Sequence, residues 1–382
     1  MRLAVYTDYE YRSDGARRYG QRAFVVFLEA VGRDVERLVL VGRLDPRPGS
    51  SHYPLSDDTE LVGLPHYESL AHPWSVARSL FISLLRFWRL LDEVDTVWVL
   101  GPYPHAVALA LTTILRRRRL VLGVRQDMPA YVRSRRADRR WMHLGADVLE
   151  LVWKTLARRY PVIVVGPELE RKYRHARRLL ATSISLVSEH DLLDPADVAA
   201  RSYDGELTIL TVGRVDAEKN PMLLPEILYL LRSTDARWRL VVCGDGPMRE
   251  ALRARLGELD LLDHAELHGY VPIDGGLLEL YRRSHAFLHV SRTEGFPQVL
   301  VEAFASCLPT VATAVGGVAA AADGAALLVP PDDPGPPARA LEQIATDEEL
   351  RDRLIRAGAD RARAITLEAT SGRVVRFIEE TG

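Results

Sequence analysis

The sequence predicts an α/β protein built from two doubly wound, parallel-sheet domains. Short runs of Val, Leu and Ile without strict alternation predict strands that are buried on both faces, and helical patterns fill the gaps between them. This alternation occurs twice, on either side of Ser188–Glu206, which is polar and acidic and lacks a strand pattern. A length of 382 residues allows each domain to bury its own core.

The first half contains candidate strands separated by helical patterns, for example Gln21–Val31 and Ser75–Leu91. The strands are predicted at Arg2–Tyr6, Val35–Val41, Thr96–Leu100, Leu120–Val124, Val162–Val165 and Ser183–Val187. This pattern assigns residues 1–190 to the first domain and residues 191–206 to a linker.

The second half repeats the pattern, with helices expected at Pro221–Arg232, Met248–Leu256 and Pro297–Ser306. Its strands are predicted at Leu207–Val212, Leu240–Cys243, Ala265–His268, Ala286–Val290, Thr310–Ala312 and Ala326–Val329. Residues 207–365 therefore form the second domain. The final helical segment, within residues 366–382, fits either domain and is expected to cross back to the first.

Composition narrows the function classes. Fifty basic and 52 acidic residues leave a net charge of −2, which disfavours a chain-wide nucleic-acid binder. Two cysteines, Cys243 and Cys307, argue against a disulfide framework and for a reducing compartment. The uncharged stretches Val97–Leu115 and Ala303–Ala322 contain Pro and Gly, which disfavours membrane spans. The start lacks a signal-peptide pattern, so we expect a cytoplasmic protein.

Basic residues concentrate between Arg116 and Arg178, where 18 Lys and Arg face six Asp and Glu. The strongest runs are Arg116–Arg119 and Arg133–Arg140. One interpretation is a face that meets anionic lipid or an anionic acceptor at the inner side of a membrane. The other, which we favour, is ordinary surface in an arginine-rich chain, where 47 of the 50 basic residues are Arg.

Two cations follow the strand Leu207–Val212. Gly213 lets the chain turn at the strand end, and Pro221 suits the first turn of the next helix. Arg214 and Lys219 lie between them, at the mouth of the predicted sheet. A planar, forked cation beside a point cation suits a pyrophosphate, although two surface cations on a loop remain an alternative.

A second candidate segment follows the strand Ala286–Val290, where Pro297 marks the start of a helix. The first helical turn, Gln298–Leu300, has no acidic residue, so its backbone N–H groups are available for an anion. Glu294 and Glu302 flank this turn, and each is expected to accept hydrogen bonds from hydroxyl groups because a phosphate would repel it. The alternative for Glu302 is an ordinary helix residue.

These segments resemble glycosyltransferase family 4, the retaining nucleotide-sugar transferases of GT-B fold. The resemblance is carried in order by TVGRVDAEKNP, VVCGDGPM, LHGYVP and HVSRTEGFPQVLVEAFASCLPTVAT, with its Glu-x7-Glu pair, and then by VGG and DGAALLVPPDD. It is specific across about Leu207–Asp333 and weak before that.

The resemblance implies two Rossmann-like domains that face each other across a cleft, acceptor-side first and donor-side second. It also implies transfer with retention from a UDP- or GDP-type sugar, with no further cofactor. The implied catalytic residues are Arg214, Lys219, Glu294 and Asp127, and the implied donor-binding residues are Gly15, Gly213, Gly244, Gly246, Val271, Gly295, Phe296, Pro297, Gln298, Val299, Leu300 and Glu302.

The chain departs from the family pattern at three places. Ala319–Ala322 stand where the family tends to have a Glu, and Asp14-Gly15 is the one candidate for a glycine-rich loop after the first strand. Arg125-Gln126-Asp127 replaces a segment that often contains a His. Asp127 is expected to keep its role, whereas Gln126 cannot accept a proton with a useful pKa.

We expect no metal site, because two cations neutralise the phosphates and no Asp-x-Asp occurs. The pairs His264/His268 and His285/His289 lie on strands, about 13 Å apart within each pair, which is too far for one metal ion. They are expected to be core or edge histidines.

Three other functions remain open. A catalytically silent GT-B protein or partner subunit would bind a nucleotide sugar without transfer. A nucleotide-sugar epimerase is disfavoured by the Glu-x7-Glu match, and a dehydrogenase by the lack of a G-x-G-x-x-G after the first strand. The acceptor is a glycan, lipid or small metabolite. Ser75–Leu91 would contact a bilayer or, as we favour, pack on a sheet.

Overall fold

The computed structural model describes residues 1–51, 53–66, 73–135, 139–198 and 201–381. They form two compact units, one of Met1–Leu186 with Leu367–Gly382 and one of Val187–Thr366. Residues 136–138 of the predicted arginine run and residues 199–200 of the predicted linker lie outside the described residues.

The first unit is built on a mixed sheet. In the described residues its strands are β1 (Arg2–Ser13), β2 (Arg18–Gly20), β3 (Arg37–Leu44), β4 (Tyr53–Pro54), β5 (Glu60–Pro65), β6 (Thr96–Gly101), β7 (Arg119–Val124), β8 (Val162–Val165) and β9 (Leu179–Thr182). Its helices include α1 (Phe24–Arg33), α2 (Pro73–Leu90), α3 (Pro104–Leu115), α4 (Met128–Arg135), α5 (Arg140–Ala157) and α6 (Pro167–Tyr173). The parallel part runs β5-β3-β1-β6-β7-β8-β9.

Two expectations for this unit are wrong. The sheet is not purely parallel, because β2 pairs antiparallel with β1, and β4 antiparallel with β2. Ser183–Val187 is not a strand: the pairing with β8 occurs at Leu179–Thr182, and the chain then leaves the sheet. Ile184 and Val187 are buried in the cores. Buried residues outside a strand give the same run of apolar residues as a buried strand, so the sequence pattern does not distinguish the two.

The second unit contains a parallel sheet, as predicted. Its strands are β10 (Leu207–Val212), β11 (Trp238–Cys243), β12 (Ala265–Gly269), β13 (Ala286–His289), β14 (Thr310–Thr313) and β15 (Ala326–Val329), in the order β12-β11-β10-β13-β14-β15. Its helices include α7 (Pro195–Val198), α8 (Leu223–Thr234), α9 (Arg249–Glu258), α10 (Leu278–Arg283), α11 (Gln298–Ala305), α12 (Val318–Ala322), α13 (Gly335–Thr346) and α14 (Glu348–Ala364). The strand order reverses between β10 and β13, and such a switch point opens a crevice at the carboxyl ends of the strands.

The last helix, α15 (Leu367–Glu380), belongs to the first unit. It packs on α1 and buries Val374, Val375 and Ile378. Full burial of side chains of this size contributes about 1.5–3 kcal/mol each. The sequence shows the amphipathic pattern of this helix but not the surface that covers it.

The two uncharged stretches are strand and helix segments. Val97–Leu115 forms β6 and α3, and Ala303–Ala322 contains the end of α11 and all of β14 and α12, as their Pro and Gly residues predict. Within the described residues, each helix is too short or too polar to cross a bilayer.

Candidate functional site

The loop between β10 and α8 presents the two predicted cations. The Asp216 carboxylate accepts hydrogen bonds from the backbone N–H groups of Glu218 (3.1 Å) and Lys219 (3.2 Å), which fixes the loop. The Arg214 guanidinium pairs with Asp216 and with Glu218 (2.8 Å) and is largely exposed. Arg214 and Lys219 line one small cavity of about 20 Å³, together with His289.

Lys219 joins this loop to the segment after β13. Its Nζ is paired with Oε2 of Glu294, which also lies 3.2 Å from Nε2 of the buried His289. Burial opposes ionisation of Glu294, but the hydrogen bonds from His289 and Lys219 outweigh it and lower its pKa to about 2. Glu294 is therefore an anion held between two nitrogen donors at neutral pH.

Helix α11 begins immediately after this carboxylate. Pro297 occupies the N-cap position without a side-chain cap, and the first turn has no acidic residue. The amides of Gln298 and Val299 thus form the positive end of the helix dipole. This confirms the predicted helix start.

Glu302 lies inside α11 and is held by a neighbouring helix. Its Oε2 accepts a hydrogen bond of 2.8 Å from the hydroxyl of Tyr281 on α10. Burial raises the pKa of Glu302 above its usual range. The carboxyl group is thus fixed by a neutral donor rather than by a cation.

Glycines allow the loops of this unit to touch. A Cβ on Gly244 would lie 1.7 Å from the carbonyl oxygen of Gly213, and one on Gly246 would lie 2.4 Å from that of Val215. A Cβ on Gly317 would lie 1.7 Å from the carbonyl oxygen of Gly295. Glycine at these positions brings the turns after β10 and β11, and those after β13 and β14, into backbone contact.

Val271, one of the predicted donor-binding residues, lines a different cavity from the one beside the ion pair. Val271 lines a cavity of about 420 Å³ beside α10, together with Tyr270 and Arg283. This loop is tied to the predicted nucleotide-side glycines, because the N–H of Gly244 donates to the carbonyl of Gly269 (2.6 Å). Phe296, between Gly295 and Pro297, packs as a partly buried residue on the core.

In the first unit, Asp127 follows β7 and accepts a hydrogen bond from the N–H of Ala130 (3.1 Å) at the start of α4. It also pairs with Lys172 at 2.9 Å, and the same Nζ lies 2.9 Å from Glu150. Burial opposes ionisation of Asp127, but these donors, led by Lys172, hold its pKa below the usual value. Asp127 therefore has a structural partner, Lys172, and its chemical role stays a prediction.

The neighbours of Asp127 differ in exposure. Gln126 is exposed, whereas the Arg125 guanidinium lies 3.7 Å from the centre of the Phe24 ring and donates to the hydroxyl of Tyr9. Burial lowers the pKa of Arg125. Gly15 lies at the exposed tip between β1 and β2 with a φ of +94°, so its observed role is a turn.

In these clusters, the contacts of His289, Lys172 and Asp216 were not predicted from the sequence. His289 is buried, as expected for a core histidine, and it also contacts Glu294 from the carboxyl end of β13. A site position for His289 could have been predicted from the sequence, because polar residues at the carboxyl ends of parallel strands face the ligand crevice. The pairing of Lys172 with Asp127 could not be predicted from the sequence, because α6 and the end of β7 meet only in the folded unit.

Glu10, Asp45 and His66 place potential metal-ligand atoms within 4.8 Å of one another. Asp45 pairs with Arg47 (3.0 Å) and Arg12 (3.3 Å). These guanidinium groups already compensate the buried carboxylate, so the cluster is a salt-bridge network.

A family model described as "Glycosyl transferases group 1" matches residues 196–361. This segment, which is less than half of the chain, is similar to the glycosyl transferases group 1 family. The match covers the ion pair, α11 and the glycine contacts, and it confirms the family resemblance carried by the sequence motifs.

Group 1 relatives are similar over part of their length. The D-inositol 3-phosphate glycosyltransferase of Frankia alni is 34% identical over 197 residues, which are 48% of each chain. The phosphatidylinositol N-acetylglucosaminyltransferase gpi3 subunit of Schizosaccharomyces pombe is 32% identical over 148 residues, 39% of this chain and 31% of the relative. The chain thus spans half or less of the curated relatives that it matches.

Solved structures match the whole chain. Sucrose-phosphate synthase from Thermosynechococcus elongatus aligns with a TM-score of 0.71 at 19% identity, over 100% of this chain and 98% of that one. HepE of Anabaena, solved with UDP, aligns with a TM-score of 0.70 at 14% identity over 100% of both chains. Likeness at this identity shows the fold, which is GT-B.

Proposed function

We propose that the protein is a retaining glycosyltransferase that moves a sugar from a UDP- or GDP-type donor to a hydroxyl group of an acceptor. The observation that carries this proposal is the Lys219–Glu294 ion pair, which stands directly before the uncapped start of α11. A cation, a carboxylate and the free amides of a helix start follow one another here, and this arrangement suits a sugar linked to a diphosphate. Names of group 1 relatives, such as mannosylfructose-phosphate synthase of Agrobacterium fabrum, agree with transfer to small acceptors.

In the proposed reaction, the bond between the anomeric carbon and the diphosphate breaks, and the acceptor hydroxyl oxygen bonds to that carbon from the same face. Negative charge develops on the leaving diphosphate, which takes up the proton of the acceptor hydroxyl. Arg214, Lys219 and the first amides of α11 would stabilise that charge electrostatically. These groups supply the positive charge that a metal ion supplies in metal-dependent transferases, so we propose metal-independent transfer.

The paired glutamates would orient the donor. Oε2 of Glu294 is occupied by Lys219 and His289, whereas Oε1 has no partner among the described residues and can accept from a sugar hydroxyl. Glu302 would accept from the ribose, and Tyr281 would hold it in place. Asp127 would act on the acceptor side.

A panel of UDP- and GDP-sugars tests the proposal. We expect one donor class to release nucleoside diphosphate only when a hydroxyl acceptor is added, with retention seen by NMR of the product. Donor hydrolysis or epimerisation without acceptor, or no binding of either nucleotide, would contradict the assignment.

One observation favours a second candidate, a catalytically silent donor-binding subunit. Asp127, the expected acceptor-side group, is engaged by Lys172 and by the start of α4. A relative is itself named a gpi3 subunit. Tight nucleotide-sugar binding without turnover across the acceptor panel would favour this candidate.

We further propose that the first unit contacts an anionic bilayer through its apolar helices. α2 buries Phe87 and Leu90 but exposes Phe81 and Leu85, so the sheet covers only one of its faces. α3 packs beside α2 and α5 beside α3, and both add large exposed apolar side chains: Leu111, Leu115, Trp141, Leu144, Val148 and Leu151. α2 and α3 contain no acidic residue, and α2 carries three arginines. Apolar surface edged by arginine suits anionic lipid.

Replacing Leu144 and Leu151 together with glutamine is expected to weaken cosedimentation with phosphatidylglycerol vesicles about 10-fold or more, because apolar area is lost from the contact. The matched control replaces Leu262 and Leu328, exposed leucines of the second unit, with glutamine. Equal vesicle binding by both variants and the native protein would contradict the proposal.

A further inference from the structure

The arginine run at residues 116–119 contributes to a cavity that the proposed donor site does not use. This cavity lies in the first unit and has a volume of about 430 Å³. Its basic lining, here called the arginine edge, consists of Arg118, Arg119, Arg159, Arg177 and Arg178. Glu380 is the acidic residue among the described lining residues.

Sheet topology brings these arginines together. Arg119 is the first residue of β7, Arg159 stands three residues before β8, and Arg177-Arg178 directly precede β9. β7, β8 and β9 are adjacent and parallel, so their amino ends share one edge. This edge is opposite to the carboxyl end of β7, which Asp127 follows, so the cavity is separate from the proposed acceptor-side residue.

Most of the arginine edge is not neutralised within the protein. The neighbouring Arg116 pairs with Asp92 and stacks on Trp88, and Arg178 donates to the carbonyl of Glu380 (2.7 Å). In contrast, the four other guanidinium groups of the edge have no side-chain partner among the residues that the structure describes. Four like charges around one cavity repel each other, and a bound anion would relieve that repulsion.

A buried hydroxyl provides a second, independent observation. Thr96 lines the same cavity, is completely buried, and its Oγ1 has no hydrogen-bond partner in the described part of the chain. A buried polar atom without a partner is costly unless a ligand or water satisfies it. Tyr160 adds another hydroxyl to the lining.

We propose that the arginine edge binds a small, multiply charged phosphate compound at a site distinct from the donor site. Guanidinium forks match phosphate oxygens in pairs, and the cavity volume lies in the range of small-ligand sites. The shared chemistry is an oligophosphate or phosphate monoester, either free in solution or carried by a lipid headgroup.

Inorganic tripolyphosphate is the probe, titrated calorimetrically into the full chain and, in parallel, into its Lys219→Met variant, in which the proposed donor site is impaired. The test variant combines Arg159→Ala with Arg177→Ala and leaves Arg178, which contacts α15, unchanged. We expect its Kd for tripolyphosphate to rise about 10-fold or more, since two charge-assisted contacts are lost. Arg118→Ala with Arg119→Ala is expected to act in the same direction.

The charge-matched control combines Arg353→Ala with Arg356→Ala on α14, where both side chains are exposed. We expect native affinity for this control and unchanged thermal unfolding for all variants. The inference would be overturned if the native protein bound neither tripolyphosphate nor the lipid probe described below, or if the native protein and the arginine-edge variants had equal affinity for the probe that binds. Because this experiment measures tripolyphosphate binding and not sugar transfer, its result can be interpreted even if the proposed donor site is wrong.

Dihexanoyl phosphatidic acid, used below its micelle concentration, distinguishes the two sources. Preferential, edge-dependent binding of this lipid assigns the phosphate to a headgroup, and preferential binding of tripolyphosphate assigns it to a free solute. If the arginine-edge substitutions leave the affinity for both probes unchanged, the proposed site is refuted.

Discussion

Replacing Lys219 with methionine is expected to lower kcat by about 10²- to 10³-fold, the range seen when one preorganised electrostatic contact to a transition state is removed. Lys219 is paired with Glu294, and it lines the same small cavity as Arg214. Methionine retains the length of the side chain but not its charge. The measurement is the steady-state release of nucleoside diphosphate with the donor and acceptor found in the panel.

Removal of Lys219 also leaves Glu294 with His289 (3.2 Å) and the Ser291 hydroxyl (3.5 Å) as its remaining partners, so structure and chemistry must be separated. Arg356→Met removes an exposed cation from α14 and serves as the matched control, with native kcat expected. Combining Lys219→Met with Glu294→Gln removes both charges of the pair, and we expect it to restore folding stability but not kcat. A Lys219→Met protein with native kcat would refute the assignment of the donor site.

Replacing Gly317 with alanine is expected to impair both stability and donor binding. The new methyl group would lie 1.7 Å from the carbonyl oxygen of Gly295, and this backbone cannot move without shifting Glu294 and the start of α11. Overpacking of this kind costs about 1–3 kcal/mol of unfolding free energy. The measurements are chemical unfolding and the Kd for the donor nucleotide.

Gly205→Ala is the matched control, because a Cβ at Gly205 meets no atom within 4 Å and the residue lies in the same unit. We expect native stability and native donor affinity for the control. If Gly317→Ala bound the donor as tightly as the native protein, close backbone contact between the two loops would not be required for the site.

Much of the second unit could be predicted from its residues. All six strands occur where short apolar runs predicted them, and α11 begins after Pro297. The loop cations and Glu294 were identifiable because Gly213 and Pro297 mark the ends of elements, and a strand end in a parallel sheet is where ligands bind. Their roles in catalysis stay predictions.

In the first unit, five of the six predicted strands occur near their predicted positions, but other parts of this unit could not be predicted. Ser183–Val187 has the composition of a strand, yet its apolar residues are buried without pairing. The short strands β2 and β4 were not identified because pairing partners, rather than local composition, create them. The basic residues between Arg116 and Arg178 were interpreted as ordinary surface, because the convergence of five of them on one cavity depends on strand order.

The sequence by itself determined the α/β class, the parallel sheet of the second unit and the family motifs, because these depend on local patterns along the chain. Tertiary structure decided the partners: which carboxylate Lys219 faces, which residues hold Asp127, where α15 packs, and that five arginines from three separate segments share one edge. The physical reason is that pairing depends on distances between segments far apart in the chain, and only the folded sheets set those distances.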